Sequence, residues 1–206
     1  MNLPFLASFI AFILIISITI KRQAKRKKET DDAFWLREKQ ANSVRRKSLD
    51  NLDYIHIPLE TFPTHLLNED SNVMECIEII ESLTSQKIVN LTGYSNTDLK
   101  LEYGTANITE LTQYDQNYTV LVRTLQKWAD LLLEAGHAKE AASLMEFAVV
   151  TGTDIRRTYY LLADYWVTHG RAEQVDFLIS AAGSLRSSNR DQIVRHLRES
   201  YPGAFH

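Results

Sequence analysis

One cysteine, Cys76, in 206 residues rules out any disulfide within the chain. The six histidines are scattered: His137 and His169 flank glycines, where an imidazole at a helix end suits the dipole, and His56, His65 and His196 share no spacing. Also missing are a zinc-ligand spacing, a glycine-rich phosphate loop, a Gly-x-Ser-x-Gly elbow and a nucleophile beside a local base. No metal, cofactor or enzymatic activity is therefore expected. From Leu49 onward 12 Lys and Arg face 22 Asp and Glu. A body that acidic has no electrostatic footprint for nucleic acid.

What is present is a repeat. Shifted by 34 positions, Arg123 falls on Arg157, Ala129 on Ala163, Asp130 on Asp164, Gly136 on Gly170, Ala138 on Ala172, Leu144 on Leu178 and Ala148 on Ala182. Conservative pairs fill the gaps, among them Leu121 with Ile155, Leu125 with Tyr159, Trp128 with Leu162 and Leu132 with Trp166. A period of this length with a glycine between two helical patterns predicts a stacked helix-turn-helix solenoid. Small residues mark the close helix approaches (Ala129 and Ala163, Ala148 and Ala182), and larger apolar ones fill the space between repeats. Gly136 and Gly170 fall just past helix ends, where a residue without Cβ turns left-handed at little cost. Gly152 ends the second helix, with Thr153 and Asp154 expected to cap the next.

These residues resemble the tetratricopeptide repeat. The glycine after the first helix is Gly136 or Gly170, the small residue early in the second helix is Ala141, and the bulky-then-small pair is Met145 with Ala148 and Ile179 with Ala182. The pattern is departed from at Val175, where alanine is usual, and no proline closes either repeat. The resemblance implies an all-α solenoid that binds a protein or peptide partner on the concave face made by the first helices. Carried over by position, that face holds Arg123, Gln126, Asp130 and Glu134, then Arg157, Tyr160, Asp164 and Thr168. Chaperone-binding members use Lys and Asn one turn apart; Gln126 and Asp130 stand there instead, which argues against an acidic-tail ligand. Glu146 and Lys139 are read as outer-face residues, where substitution should leave partner capture unchanged.

The amino terminus reads as a membrane anchor. Leu3 to Ile20 is apolar, relieved by small or hydroxyl residues, and as a helix would be about 27 Å long, close to the hydrocarbon thickness of a bilayer. Lys21, Arg22, Lys25, Arg26, Lys27 and Lys28 follow at once, which by the positive-inside rule places the remainder in the cytoplasm. Residues 21–47 carry 11 Lys and Arg against 4 acids, a basic helical stalk suited to anionic lipid. Phe34 and Trp35 beside it suit the headgroup level. The layout of anchor, basic stalk and small helical domain is similar to bacterial membrane-anchored proteins and to mitochondrial outer-membrane import receptors.

Between stalk and repeats the chain is less legible. Residues 51–64 read as extended, because Pro58 and Pro63 forbid a continuous helix. A helix is expected with Val73, Ile77, Ile80 and Leu83 inward, started by a cap within 68–71. Residues 87–114 form a turn-rich, oxygen-dense segment, and a rival reading makes it a small-ligand or enzyme site with Asn96, Asp98 and Lys100 in a pocket. Asp115 is expected to cap the first repeat helix. Three glycosylation sequons, at Asn90, Asn107 and Asn117, matter only in a secretory lumen.

The expected organisation is thus a transmembrane anchor (1–20), a basic stalk (21–50), an extended and helical region (51–114), two tetratricopeptide-like repeats (115–186) and a polar-faced capping helix (187–206). The expected role is that of a single-pass, membrane-anchored cytoplasmic interaction module.

Overall fold

The structure, a computed structural model, describes residues 30–202. The apolar run at 3–20 and the basic residues Lys21, Arg22, Lys25, Arg26, Lys27 and Lys28 lie outside the described residues. Among those described, no helix is long and apolar enough to cross a membrane.

The fold is all-α, with eight helices among the described residues: α1 (30–42), α2 (Ser71–Thr84), α3 (Asn96–Tyr103), α4 (Ile108–Glu134), α5 (Ala138–Val150), α6 (Arg156–Thr168), α7 (Val175–Gly183) and α8 (Arg190–Ser200). The chain divides into two compact units. The described part of the first comprises 30–47 and Asn96–Asn107; the second comprises Ser48–Ser95 and the chain from Ile108 onward.

In the first unit α1 is held by polar ties to the stretch that begins at α3. Arg37 pairs with Asp98 at 2.6 Å, while Glu38 takes both the Lys100 ammonium and the Thr97 hydroxyl. These bonds hold the Glu38 carboxyl below the usual carboxylate range, Lys100 first and Thr97 second. Asn107, fully buried, accepts from Arg46 at 2.8 Å and donates to the carbonyls of Lys47 and Tyr103. Gly104 is needed there: its φ is +89°, and a Cβ would stand 2.3 Å from the Arg45 carbonyl oxygen. The side chains of the proposed pocket are therefore spent as struts, Asp98 and Lys100 on α1.

The second unit is built by neighbours in sequence. α2 packs on α4, α4 on α5, α5 on α6, α6 on α7 and α7 on α8. Asp70 caps α2 by accepting from the amides of Asn72 and Val73, and Val73, Cys76, Ile77, Ile80 and Leu83 turn inward. Ala129, Ala163 and Ala182 are fully buried, beside the fully buried Trp128, Leu132 and Leu162. Gly136 and Gly170 have φ of +85° and +72° just past α4 and α6, conformations that an L side chain adopts only with strain.

Three local expectations are corrected. Asp115 caps nothing: α4 begins at Ile108, after a 3₁₀ turn over Thr105–Asn107, and the Asp115 carboxylate accepts from the Leu91 amide at 3.0 Å inside this unit. Asp154 does not cap α6; it accepts from Ser187 and Asn189 and so fixes the start of α8. The 51–64 stretch is only partly extended. Tyr54 makes one isolated antiparallel bridge with Val89, a 3₁₀ turn covers Leu59–Thr61, and Phe62 drops edge-on between Trp128 and Phe147.

The packing ends where the register turns polar. α8 starts one 34-residue step after α6, at Arg190 against Arg156, and Ile193 and Leu197 are buried at the step from Tyr159 and Ala163. One step on from Leu162 and Trp166, however, stand His196 and Ser200.

At the α5–α6 turn, Tyr118 donates to the Thr151 carbonyl and Tyr159 to that of Thr153, at 3.1 and 2.9 Å. Burial pushes both phenols well above their ordinary range. Their contribution to stability is intact below pH about 10, the ordinary tyrosine value. It is lost above that pH, because the unfolded phenols ionise while the folded ones remain neutral. The thermal midpoint should hold up to pH about 9 and fall beyond about 10, with a shallower fall in Tyr118→Phe/Tyr159→Phe; an identical slope in that variant refutes the assignment. Ala163→Leu should overpack the α6 crossing and cost about 1–3 kcal/mol, read by urea unfolding of the full chain in detergent.

Candidate functional site

The face read from the first helices of the repeats is occupied largely by its own partners. On α4, Arg123 and Glu134 are exposed, but Gln126 is buried, donating to Asp130 at 3.0 Å and accepting from the Thr158 hydroxyl at 2.6 Å. Asp130 also takes Arg157 of α6 at 2.9 Å. The spacing places these two charges on neighbouring helices, and they satisfy each other. Tyr160 is not a free anchor: the His196 ring of α8 lies 3.8 Å from it, centroid to centroid. Asp164 accepts from the Tyr201 hydroxyl and Thr168 donates back to the Asp164 carbonyl. Of the eight residues only Arg123 and Glu134 have side chains without such a tie among the described residues.

Glu146, read as an outer-face residue, is tied into the fold. Glu146 on α5 accepts from the Trp166 indole N–H at 3.0 Å and lies 4.0 Å from Arg171. It forms the rim of an open groove of about 400 Å³ whose lining includes Val150, Trp166, Arg171, Gln174 and Phe177. Trp166 is the floor, 3% exposed, with the Arg171 guanidinium 5.5 Å above its ring. Arg171 is steadied in turn by the Gln174 amide oxygen. Val150 and Phe177 stand 72% and 50% exposed on either side. Large apolar side chains left in water around a concavity mark a place where apolar surface can be buried.

The signal for this groove was in the sequence as departures from the period. Phe177 falls one 34-residue step from Ser143, and Val150 one step before Ser184. In each pair the polar member is what a solvated helix face calls for, so the apolar member is the anomaly.

Among the described residues no three His, Cys, Asp or Glu side chains converge to hold a metal ion. Cys76 is buried, and burial raises its thiol above the ordinary range, the reverse of an activated nucleophile. The sequon asparagines serve the fold: Asn90 donates to the carbonyls of Thr151 and Gly152, Asn117 to that of Lys87, and Asn107 is enclosed as described. Comparison with family models, curated proteins and solved structures found no match.

Glu146→Ala removes the acceptor of a buried indole N–H and should cost about 1–3 kcal/mol, whereas Lys139→Ala, on an exposed side chain, should stay within about 0.5 kcal/mol. Equal thermal shifts for the two variants would mean that the Trp166–Glu146 bond contributes nothing.

Proposed function

We propose that this chain is a membrane-anchored protein-interaction module, its helical body on the cytoplasmic side, and that it holds a segment of a partner protein in the Val150–Trp166–Phe177 groove. The observation that carries the reading is the pairing of two exposed apolar side chains with a buried tryptophan floor. Removing such surface from water is favourable, at roughly 25 cal/mol per Å² before the ordering costs of association. Two further points support it: the tetratricopeptide-like period, and the apolar run at 3–20 followed by six cations. The binding face differs from the one that the resemblance implies, since Gln126, Asp130, Arg157, Tyr160 and Asp164 are engaged with one another or with the last helical segment. The rival ligand-site reading loses its main support, because Asp98 and Lys100 are paired to Arg37 and Glu38.

Site-specific photo-crosslinking in native membranes tests the proposal. A photoreactive residue at Val150 or Phe177 should give a discrete adduct, and one at Glu78 on the exposed side of α2 none. Adducts of equal yield from all three positions, or from none, would remove the groove from consideration. Digestion of the body by protease added on the non-cytoplasmic side of sealed membranes would reverse the proposed topology.

A further inference from the structure

Three hollows of the second unit adjoin one another through shared lining residues. The apolar groove shares Val150 with a hollow of about 280 Å³ bordered by Ile55, His56 and Phe147. That hollow shares Asp53 and Asn90 with a third of about 300 Å³, which ends at Thr92, Tyr94, Ser184 and Arg186. Each is the size of one or two side chains, and their succession suits an extended chain better than a single compact ligand.

The far end is built around Arg186. Gly93, at φ +86°, leaves no room for a Cβ, which would stand 2.5 Å from the Arg186 Cβ and 2.8 Å from its carbonyl oxygen. The 92–94 loop is thus pressed against the base of the arginine, and the guanidinium is carried 4.3 Å above the Tyr94 ring. Arg186 is exposed and has no ion-pair partner among the described residues. A guanidinium stacked on an aromatic face keeps its N–H fork free for a planar carboxylate. Asn90 contributes no donor, since its amide is spent on the α5–α6 turn. Asp53, exposed at the junction of two hollows, disfavours a polyanion. The acidity of the whole chain does not decide the matter, because charges beyond about 8 Å are largely screened at physiological salt.

We infer that these adjoining hollows together take an extended partner segment with a bulky apolar side chain for the Val150–Trp166–Phe177 end and one acidic side chain for Arg186, separated by neutral or basic residues opposite Asp53. The inference rests on the interaction-module reading and specifies its ligand. Arg186 reads the carboxylate, and the apolar end supplies most of the affinity.

The probe is an array of fluorescein-labelled Ser/Ala nonapeptides carrying one Phe and one Glu, two to seven residues apart and in both orders. Anisotropy is measured against the full chain in nanodiscs. One order and a narrow range of spacings should bind. Changing the peptide Glu to Gln, or Arg186→Gln in the protein, should each weaken binding tenfold or more without compounding, and Arg186→Lys should fall between. Phe177→Ser should weaken it at least tenfold, and an unchanged thermal midpoint in each variant excludes unfolding as the cause. Binding that needs Phe177 but ignores Glu and Arg186 overturns this inference and leaves the interaction module standing. Binding that ignores both ends, binding of Phe–Lys peptides as tightly, or no binding by any member overturns it as well; in those cases the crosslinking yields from Val150 and Phe177 decide separately whether the groove binds protein at all.

Discussion

The turn between α5 and α6 presents backbone carbonyls outside its helices' own bonding, and three distant parts of the second unit, together with α6 itself, are held in place by satisfying them. Asn90 reaches the oxygens of Thr151 and Gly152, Tyr118 that of Thr151 and Tyr159 that of Thr153. Asp154 then collects Ser187 and Asn189 and so starts α8. Each bond contributes only about 1 kcal/mol net, but leaving a buried polar group unpaired costs more than making the bond gains. The turn therefore acts as a condition on the fold: the chain before α4, α4 itself, α6 and the approach to α8 must all arrive together. Gly152 permits it, at φ +78° with the Asn90 amide nitrogen 3.0 Å from where a Cβ would lie.

The same demand for partners explains where the surface is closed and where it is open. Polar side chains on α4 and α6 lie close enough to find each other, and Gln126, Asp130, Arg157 and Thr158 form one connected set. Apolar side chains have no such recourse once the stack is complete. Val150 and Phe177 lie on a side of α5 and α7 that no helix among the described residues covers, and the residues beneath them are already packed.

How much of this the residues announced depends on the range of the interaction involved. The all-α class, the glycine turns at 136 and 170, the inward face of α2 and the close approaches at Ala129 and Ala163 follow from local periodicity, and they could be read. Asp115 and Asp154 were misread for one reason. Each looks like an N-cap from its neighbours, and each is used by a residue far away, Leu91 in one case and Ser187 in the other. Sequence spacing also set Arg157 and Asp130 on one face, yet it carries no information on whether two charges will face solvent or each other. The groove was legible only as an irregularity, Phe177 where the period has Ser143.

The ties between α1 and α3 have a consequence in time. Arg37 and Asp98 are separated by 61 residues in the chain, and Glu38 and Lys100 by 62. At about 5–20 residues per second of synthesis, roughly 3–12 seconds pass after α1 is made before its partners exist. During that interval the helix next to the basic run lacks its salt bridges, and the Arg46–Lys47 stretch that follows it lacks Asn107. Anything that engages the amino-terminal end of the nascent chain within that interval meets α1 unclamped.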